Sequence, residues 1–317
     1  MKVTDILKNN PKKAIYTFEI IPPMKGAEIE NVYSSLAPLL ELRPAYINIT
    51  SHRDVIEHRL QSDGTTKNFT TTKRVGTIAL SAAIMKRFNI EVVPHVICAG
   101  RSRNSIENDL IDLSFLEIDN IMALRGDAVK GEPYVAHPEG HRYGSELVKQ
   151  IVDMNHGVYL DENITNATHS DFCIGVGCYP DKHFEAASLD DDIANLKKKV
   201  EAGADYAVTQ MFFDNATYYA FVDKCRAAGI TVPIIPGLKP VSLLNQVDVL
   251  PKSFHLPMPQ DLEKELRRCK SNEDAKVVGT EWCLMQTRDL MKHGINHIHL
   301  YTLMARDCIT RIVKEAF

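Results

Sequence analysis

The stretch Asn120-Ile121-Met122-Ala123-Leu124-Arg125-Gly126-Asp127 reads as a buried strand that ends in a polar turn. A short apolar run closed by a turn signal fits a strand covered on both faces, as in parallel sheets. The same pattern recurs at Ile15–Ile21, Ala45–Thr50, Glu91–Ile97, Phe172–Tyr179, Ala207–Phe213, Val232–Leu238 and His297–Leu303. Eight such strands alternating with helices predict an α/β protein built as a closed (β/α)8 TIM barrel. Barrels of this kind place their chemistry on the rim at the C-terminal ends of the strands. The residues delivered there are Glu19, Thr50, His95, Arg125 with Asp127, Tyr179, Gln210 and Tyr301, a first draft of an active site.

One barrel of roughly 250 residues with extensions accounts for the whole chain, so residues 1–317 are read as a single domain. Hydrophobic content is 44% and charged content 25%, which fits an ordinary soluble protein. A net charge of -4 gives no electrostatic reason to expect a nucleic-acid partner. No apolar run approaches the roughly 20 residues of a membrane span, and Met1–Pro11 lacks the apolar core of a signal peptide. The cysteine count of 7 is odd, no C-x-x-C occurs, and several cysteines lie inside apolar runs. They read as reduced, buried thiols of a cytoplasmic protein.

The intervening helices are partly legible. Asn104 with Glu107 suggests a cap and its partner, followed by an apolar stripe of Ile106, Leu110 and Leu113. A second helix is expected to start near Glu185, with Leu189, Ile193, Leu196 and Val200 as its stripe and Gly203 as its stop. Asp190, Asp191 and Asp192 suit its N-terminal dipole. Asn215 is expected to cap a third helix. Val278, Trp282 and Met285 mark the helix before the last strand. The segments Gly126–Gly144 and Pro251–Asp274 read as irregular, and long loops in a compact domain are often functional.

Glu19 sits in Thr-Phe-Glu-Ile-Ile-Pro-Pro, where apolar neighbours would dry the carboxyl and raise its pKa into the useful range for an acid. A structural Glu paired with a base is the alternative. Gly126 permits close approach of a ligand, and Arg125 and Asp127 present opposite charges from one turn. His95 in its apolar run suits a structural role, and His183 suits a more exposed loop. His297 and His299 share a strand face, but two histidines alone are weak metal ligands. Asp192, Asn195 and Lys199 share a helix face, with Lys198 adjacent. That face is either simply solvated or grips a diphosphate and sugar. Gln210 could read a donor–acceptor pair on a heterocycle. There is no Walker loop, G-x-G-x-x-G fingerprint, G-x-S-x-G elbow or zinc spacing, and no metal is expected.

An ordered set of motifs runs from Ile15 to Tyr301. It comprises Phe18-Glu19-x-x-Pro22-Pro23, Ala123-Leu124-Arg125-Gly126-Asp127, Tyr179-Pro180-x-x-His183-x-Glu185-Ala186 and Ala202-Gly203-Ala204-Asp205. It continues with Thr209-Gln210-x-Phe212-Phe213-Asp214, Ile235-Pro236-Gly237 and Tyr301-Thr302-Leu303. In this set the chain resembles the methylenetetrahydrofolate reductases of the bacterial, catalytic-domain-only type. The resemblance implies noncovalent FAD and either NADH or NADPH as donor. It implies reduction of 5,10-methylenetetrahydrofolate to 5-methyltetrahydrofolate in one-carbon metabolism and methionine biosynthesis, with no regulatory domain. It also implies self-association into a dimer or tetramer.

Position by position, Glu19 matches the general acid that protonates the folate amine as its ring opens. Asp127 matches the acidic group between flavin and folate. Gln210 matches a contact to folate and nicotinamide, and Tyr301 and Arg306 fall on the substrate side. Thr50, Ser51, His95, Arg125, Gly126, Asp127, Tyr179, His183, Ala186, Asp192, Asn195, Lys198 and Lys199 match the FAD shell, with Tyr143 and Gly144 lining it. The chain departs from the family pattern at Ser51-His52-Arg53-Asp54, at Leu244 where a stacking Phe is often found, and at Arg306, which is one position late. Two other classes compete: a flavin-independent, pterin-binding methyltransferase barrel, and a non-catalytic subunit of a redox complex. The first would not need the Asp192–Lys199 face, and the second would not need a buried Glu19.

Overall fold

The computed structural model describes residues 1–10, 14–129, 132–302 and 305–317. Leu303, at the end of the predicted eighth strand, lies outside the described residues. So do Met304 and two positions of the Gly126–Gly144 loop.

Helix α1 (Val3–Asn9) precedes β1 (Ile15–Ile20), and α2 (Ile29–Leu40) leads to β2 (Ile47–Ile49). An antiparallel ribbon, β3 (Val55–Leu60) and β4 (Thr66–Thr71), comes before α3 (Thr77–Phe88) and β5 (Val92–Ile97). Then follow α4 (Arg103–Phe115), β6 (Asn120–Leu124), α5 (Gly144–Asn155), β7 (Cys173–Cys178), α6 (Leu189–Glu201), β8 (Tyr206–Thr209) and α7 (Asn215–Ala227). β9 (Ile234–Ile235) and β10 (Gly237–Leu238) are halves of one predicted strand, parted by Pro236. Helices α8 (Gln246–Phe254), α9 (Gln260–Arg268) and α10 (Asn272–Lys292) lead to β11 (His297–Tyr301) and α11 (Arg306–Ala316).

The parallel strands lie in the order β10-β11-β1-β2-β5-β6-β7-β8-β9. Because β9 runs on into β10, the order closes on itself as a barrel of eight staves. Proline has no N–H to give the ladder, yet its carbonyl still accepts from His299 N–H at 2.9 Å, so pairing carries past the break. Strand residues alternate between the two faces. Phe18, Ile47 and Leu300 join the apolar layer with Leu36, Leu80, Leu110 and Ile309 of the surrounding helices. Tyr46, Val93, Met122, Tyr206 and Val208 form a separate cluster with Val3, Ile6 and Leu7 of α1. That helix plugs the N-terminal end, where the Val3 N–H donates to Asn120 Oδ1 at 2.8 Å.

The helix stripes fall where the spacing places them, with Ile106, Leu110, Leu113, Ile193 and Leu196 buried. The caps do not. Ser102, not Asn104, caps α4 through the Ser105 N–H at 3.1 Å. Ser188 caps α6, which starts at Leu189 rather than near Glu185. Asp214, not Asn215, caps α7. Gly203 follows α6 at φ 114°, as a C′ stop requires. The segment Pro251–Asp274 is not irregular, because it holds α9 with Leu262 and Leu266 buried. Met285 is exposed, and the packed face of α10 is instead Ala275, Gly279, Cys283 and Leu290. The ribbon had no readable signal: most of its residues are exposed, so no apolar alternation marks it. Among the described residues no helix is long and apolar enough to cross a membrane. All seven cysteines are unpaired, and six of them are buried.

At Gly279 a Cβ would stand 2.0 Å from the Val241 carbonyl oxygen, a backbone atom that cannot swing aside. Gly279→Ala is expected to lower the unfolding free energy by about 2 kcal/mol or more, as overpacking against a fixed neighbour does. Urea denaturation checks it, and an unchanged midpoint would mean that α10 docks differently.

Candidate active site

The C-terminal rim opens into a cavity of about 1160 Å³. Its lining includes Glu19, Thr50, Ser51, His95, Arg125, Gly126, Asp127, Tyr143, Gly144, Tyr179, His183, Ala186, Asp192, Asn195, Lys198, Lys199, Gln210 and Tyr301. These residues are spread over most of the chain and meet only because the staves close into a ring. Arg306 does not line the cavity: its Nη1 donates to the Ser35 carbonyl at 3.4 Å. Leu244 also stays outside, packed with the cluster of Met211, Phe213 and Val241.

Glu19 stands opposite Tyr301 on one side and Asn48 on the other. Its side chain is only 12% exposed, with Oε2 3.6 Å from His95 Nε2 and 3.9 Å from His299 Nε2. The geometry alone suggests ion pairs, but the protonation states do not. Burial pushes the Glu19 carboxyl up to about 8, with the Lys239 charge opposing it only in part. Burial holds the His95 imidazole down to about 3, and the nearby His52 adds to that. His299 is held at about 3 by burial and by His95. At neutral pH the acid therefore keeps its proton between two neutral rings. A neutral cluster avoids the desolvation cost of buried charge. His299 Nδ1 is fixed by the Thr17 hydroxyl at 2.9 Å, and the Tyr301 hydroxyl donates to the Thr209 carbonyl at 2.7 Å.

The opposite wall carries two lysines and a helix N-terminus. Lys199 Nζ donates to the Gly177 carbonyl at 2.8 Å, and burial lowers its pKa. Asp192 accepts from the His183 N–H at 2.9 Å and so ties the β7 loop to α6. The His183 ring meets Tyr179 edge-on at 4.6 Å. Lys198 reaches Asn195 Oδ1 at 3.4 Å. Gly144, the first residue of α5, lines the cavity beside Ser145, so the positive end of that helix dipole borders it. Arg125 pairs with Glu185 at 2.5 Å and lies over the Tyr134 ring at 4.3 Å. Gly126, at φ 84°, brings its backbone so close that a Cβ would sit 2.9 Å from that of Ala99. Gln210, in the cavity lining, accepts from Met211 N–H through Oε1 at 2.9 Å.

Several lining residues escaped the sequence reading. Asn48 has both amide atoms buried without a partner, and a polar residue inside Ile47-Asn48-Ile49 was the available signal. His299 was noticed only as one of a pair; the fold separates its role from that of His297 by bringing it to Glu19. Lys73 and Arg74 enter from one root of the ribbon, and His52 and Arg53, met in the sequence only as a departure from the family pattern, from the other. Arg53 Nε is buried and unpartnered. Among the described residues no group of three or more His, Cys, Asp or Glu could hold a metal.

The profile of the methylenetetrahydrofolate reductase family matches residues 2–316. A Schizosaccharomyces pombe relative, methylenetetrahydrofolate reductase 1, is 30% identical over 99% of this chain and 48% of its own length. The Escherichia coli 5,10-methylenetetrahydrofolate reductase is 30% identical over 90% of this chain and 85% of its own. The chain thus spans about half the length of its fungal relative, and likewise of an Arabidopsis thaliana NADH enzyme at 48%. A solved Clostridium thermocellum protein, described as binding two copies of 5-methyl-5,6,7,8-tetrahydrofolic acid, superposes with a TM-score of 0.61. It is 14% identical, covering 99% of this chain and 98% of its own, so that likeness shows the fold alone.

The Glu19 protonation has a sign that stability can test. An ordinary carboxyl titrates near 4.3, whereas this one titrates at about 8 in the folded chain. Between those values the unfolded chain has lost the proton and the folded chain keeps it, so stability falls as pH rises through that window. Glu19→Gln removes that penalty. It is expected to raise the Tm at pH 8 and leave it near the parent value at pH 4; an equal shift at both would contradict the raised pKa.

Proposed function

The chain belongs to the methylenetetrahydrofolate reductase family, and on that premise we propose that its cavity reduces 5,10-methylenetetrahydrofolate to 5-methyltetrahydrofolate. Electrons come from NADH or NADPH by way of noncovalent FAD, the two substrates taking turns in a ping-pong sequence. The carrying observation is the largely buried Glu19, 3.6 Å from His95, at one side of a cavity whose other wall carries Lys198 and Lys199. A cavity of about 1160 Å³ exceeds the usual range for one drug-sized ligand, which suits a dinucleotide with a second molecule beside it.

The residues fit FAD. Lys199, Lys198 and the start of α5 offer positive potential for the diphosphate. The close backbone at Gly126 and the lining positions Thr50, Ser51, His95, Gly126, Tyr143, Tyr179 and Ala186 would take the flat ring and ribityl chain. Arg125, His183, Asp192 and Asn195 complete the polar shell. When bound, FAD supplies the two-electron relay between nicotinamide and folate.

The side chains supply the rest. Glu19 holds a proton for the folate amine whose release opens the one-carbon ring. Asp127 lines the same cavity, and its carboxylate would stabilise the ring-opened cation. At about 4 Å and an effective dielectric near 20 that is worth up to ~4 kcal/mol before screening, or roughly 10³ in rate if confined to the transition state. Gln210 has the donors and acceptor to fix the pterin, and Tyr301, locked by Thr209, gives it a firm edge. The barrel, residues 1–317, is the proposed catalytic domain, with the cytoplasm as its setting.

Purified protein should be yellow, be bleached by NADH or NADPH, and regain its colour with methylenetetrahydrofolate. Glu19→Gln is expected to keep the bleaching and to slow recovery by folate roughly 10²–10⁴-fold, the span of a lost general acid; unimpaired recovery would remove Glu19 from the chemistry. Lys199→Ala is expected to shed FAD on gel filtration. Full flavin content there would return that helix face to a solvated role.

A further inference from the structure

The ribbon of β3 and β4 is an addition that a barrel of eight staves does not require, and its returning leg is stitched to the turn after β1. Val75 N–H donates to the Pro23 carbonyl at 3.0 Å, and Lys25 N–H to the Lys73 carbonyl at 2.9 Å. Met24 and Arg74 form an antiparallel bridge. Arg74 Nη1 donates to the Pro22 carbonyl at 2.6 Å, three residues past Glu19. Backbone bonds on both sides fix the chain at Arg74, and the Pro22 carbonyl holds its guanidinium, at a residue that lines the cavity. A guanidinium carries five donors, and only this one bond engages them among the described residues. Its neighbour Lys73 is taken up by Glu57 at 3.3 Å.

A folate carries its glutamate carboxylates beyond the benzoyl group, away from the reactive amine. A molecule with that amine at Glu19 needs a cation farther along the rim. Arg306 does not meet the need, since it turns to Ser35 outside the cavity. Arg53 enters from the other leg of the ribbon and lies against Gly100, with Nη2 3.5 Å from where a Cβ would be, toward the β5 loop rather than β1. Arg74 is left on the Glu19 side. We propose that Arg74 is the receptor for the carboxylates of the substrate's glutamate tail, a specificity-determining residue supplied by the inserted ribbon. This rests on the folate reading given above. A planar guanidinium held in place binds carboxylate with two parallel bonds and loses little freedom in doing so.

The test compares 5,10-methylenetetrahydrofolate with the same compound lacking glutamate, 5,10-methylenetetrahydropteroate, on the FAD-loaded enzyme. Arg74→Gln is expected to raise KM for the folate about tenfold or more, as loss of a charge-assisted pair does. It should leave the pteroate KM, kcat and the bleaching by either nucleotide at parent values. Arg74→Lys should restore part of the folate affinity. The proposal is overturned by an unchanged folate KM, or by equal losses on folate and pteroate, which would make Arg74 a strut for the rim. A loss confined to NADPH overturns it too, assigning the cation to a phosphate, as does transfer of the effect to Arg306→Gln. If the parent enzyme turns over neither compound, the functional reading itself has failed; turnover by the parent with a silent Arg74→Gln isolates the failure to this inference.

Discussion

The whole arrangement depends on drying one carboxyl. Glu19 sits near the C-terminal end of β1, between imidazoles that burial keeps neutral. Were His95 or His299 charged, it would draw the proton off Glu19 and leave an ion pair with nothing to give. Because the same low polarity acts on all three groups, the proton stays on the carboxyl up to about pH 8. Lys239, itself lowered to about 8 by burial, tempers this without reversing it.

The rest of the barrel makes that dryness possible and useful. The outer apolar layer and the α1 plug close off the staves from the sides and below, so the site opens only at the rim. There the loops divide the labour. Those after β6 and β7, with α5 and α6, bring Arg125, Lys198, Lys199 and the close backbone at Gly126 to one wall, where the proposed FAD would lie. The turn after β1 and the ribbon enclose the side where Glu19 stands. Glu19 and the lysines of α6 thus face one cavity from different walls, which is what the proposed two-substrate chemistry would need.

Much of this was legible in residue order. Each strand end that the apolar runs exposed as polar is in the cavity, because a strand in a barrel has a fixed direction and so a fixed rim. Glu19 was legible as a poorly solvated acid from Phe18, Ile20 and the prolines after it. Helix caps were less so: Asn104 and Asn215 each had a competing Ser102 or Asp214 within two residues, and only the path of the entering chain decides between them. The ribbon was invisible, because exposed strands carry no burial pattern, and Arg74 was hidden with it. Arg306 is the contrary case. It stands one position late against the family pattern, at the first residue of α11, and its guanidinium meets the Ser35 carbonyl outside the cavity.

The most direct measurement is the pH dependence of reoxidation of the reduced, FAD-loaded protein by 5,10-methylenetetrahydrofolate, followed by stopped-flow absorbance. With Glu19 as a dry acid, the rate should be level through neutrality and fall about tenfold per unit above pH 8, while reduction by nicotinamide shows no such limb. A fall beginning near pH 4 to 5, where an ordinary solvated carboxyl titrates, would contradict it.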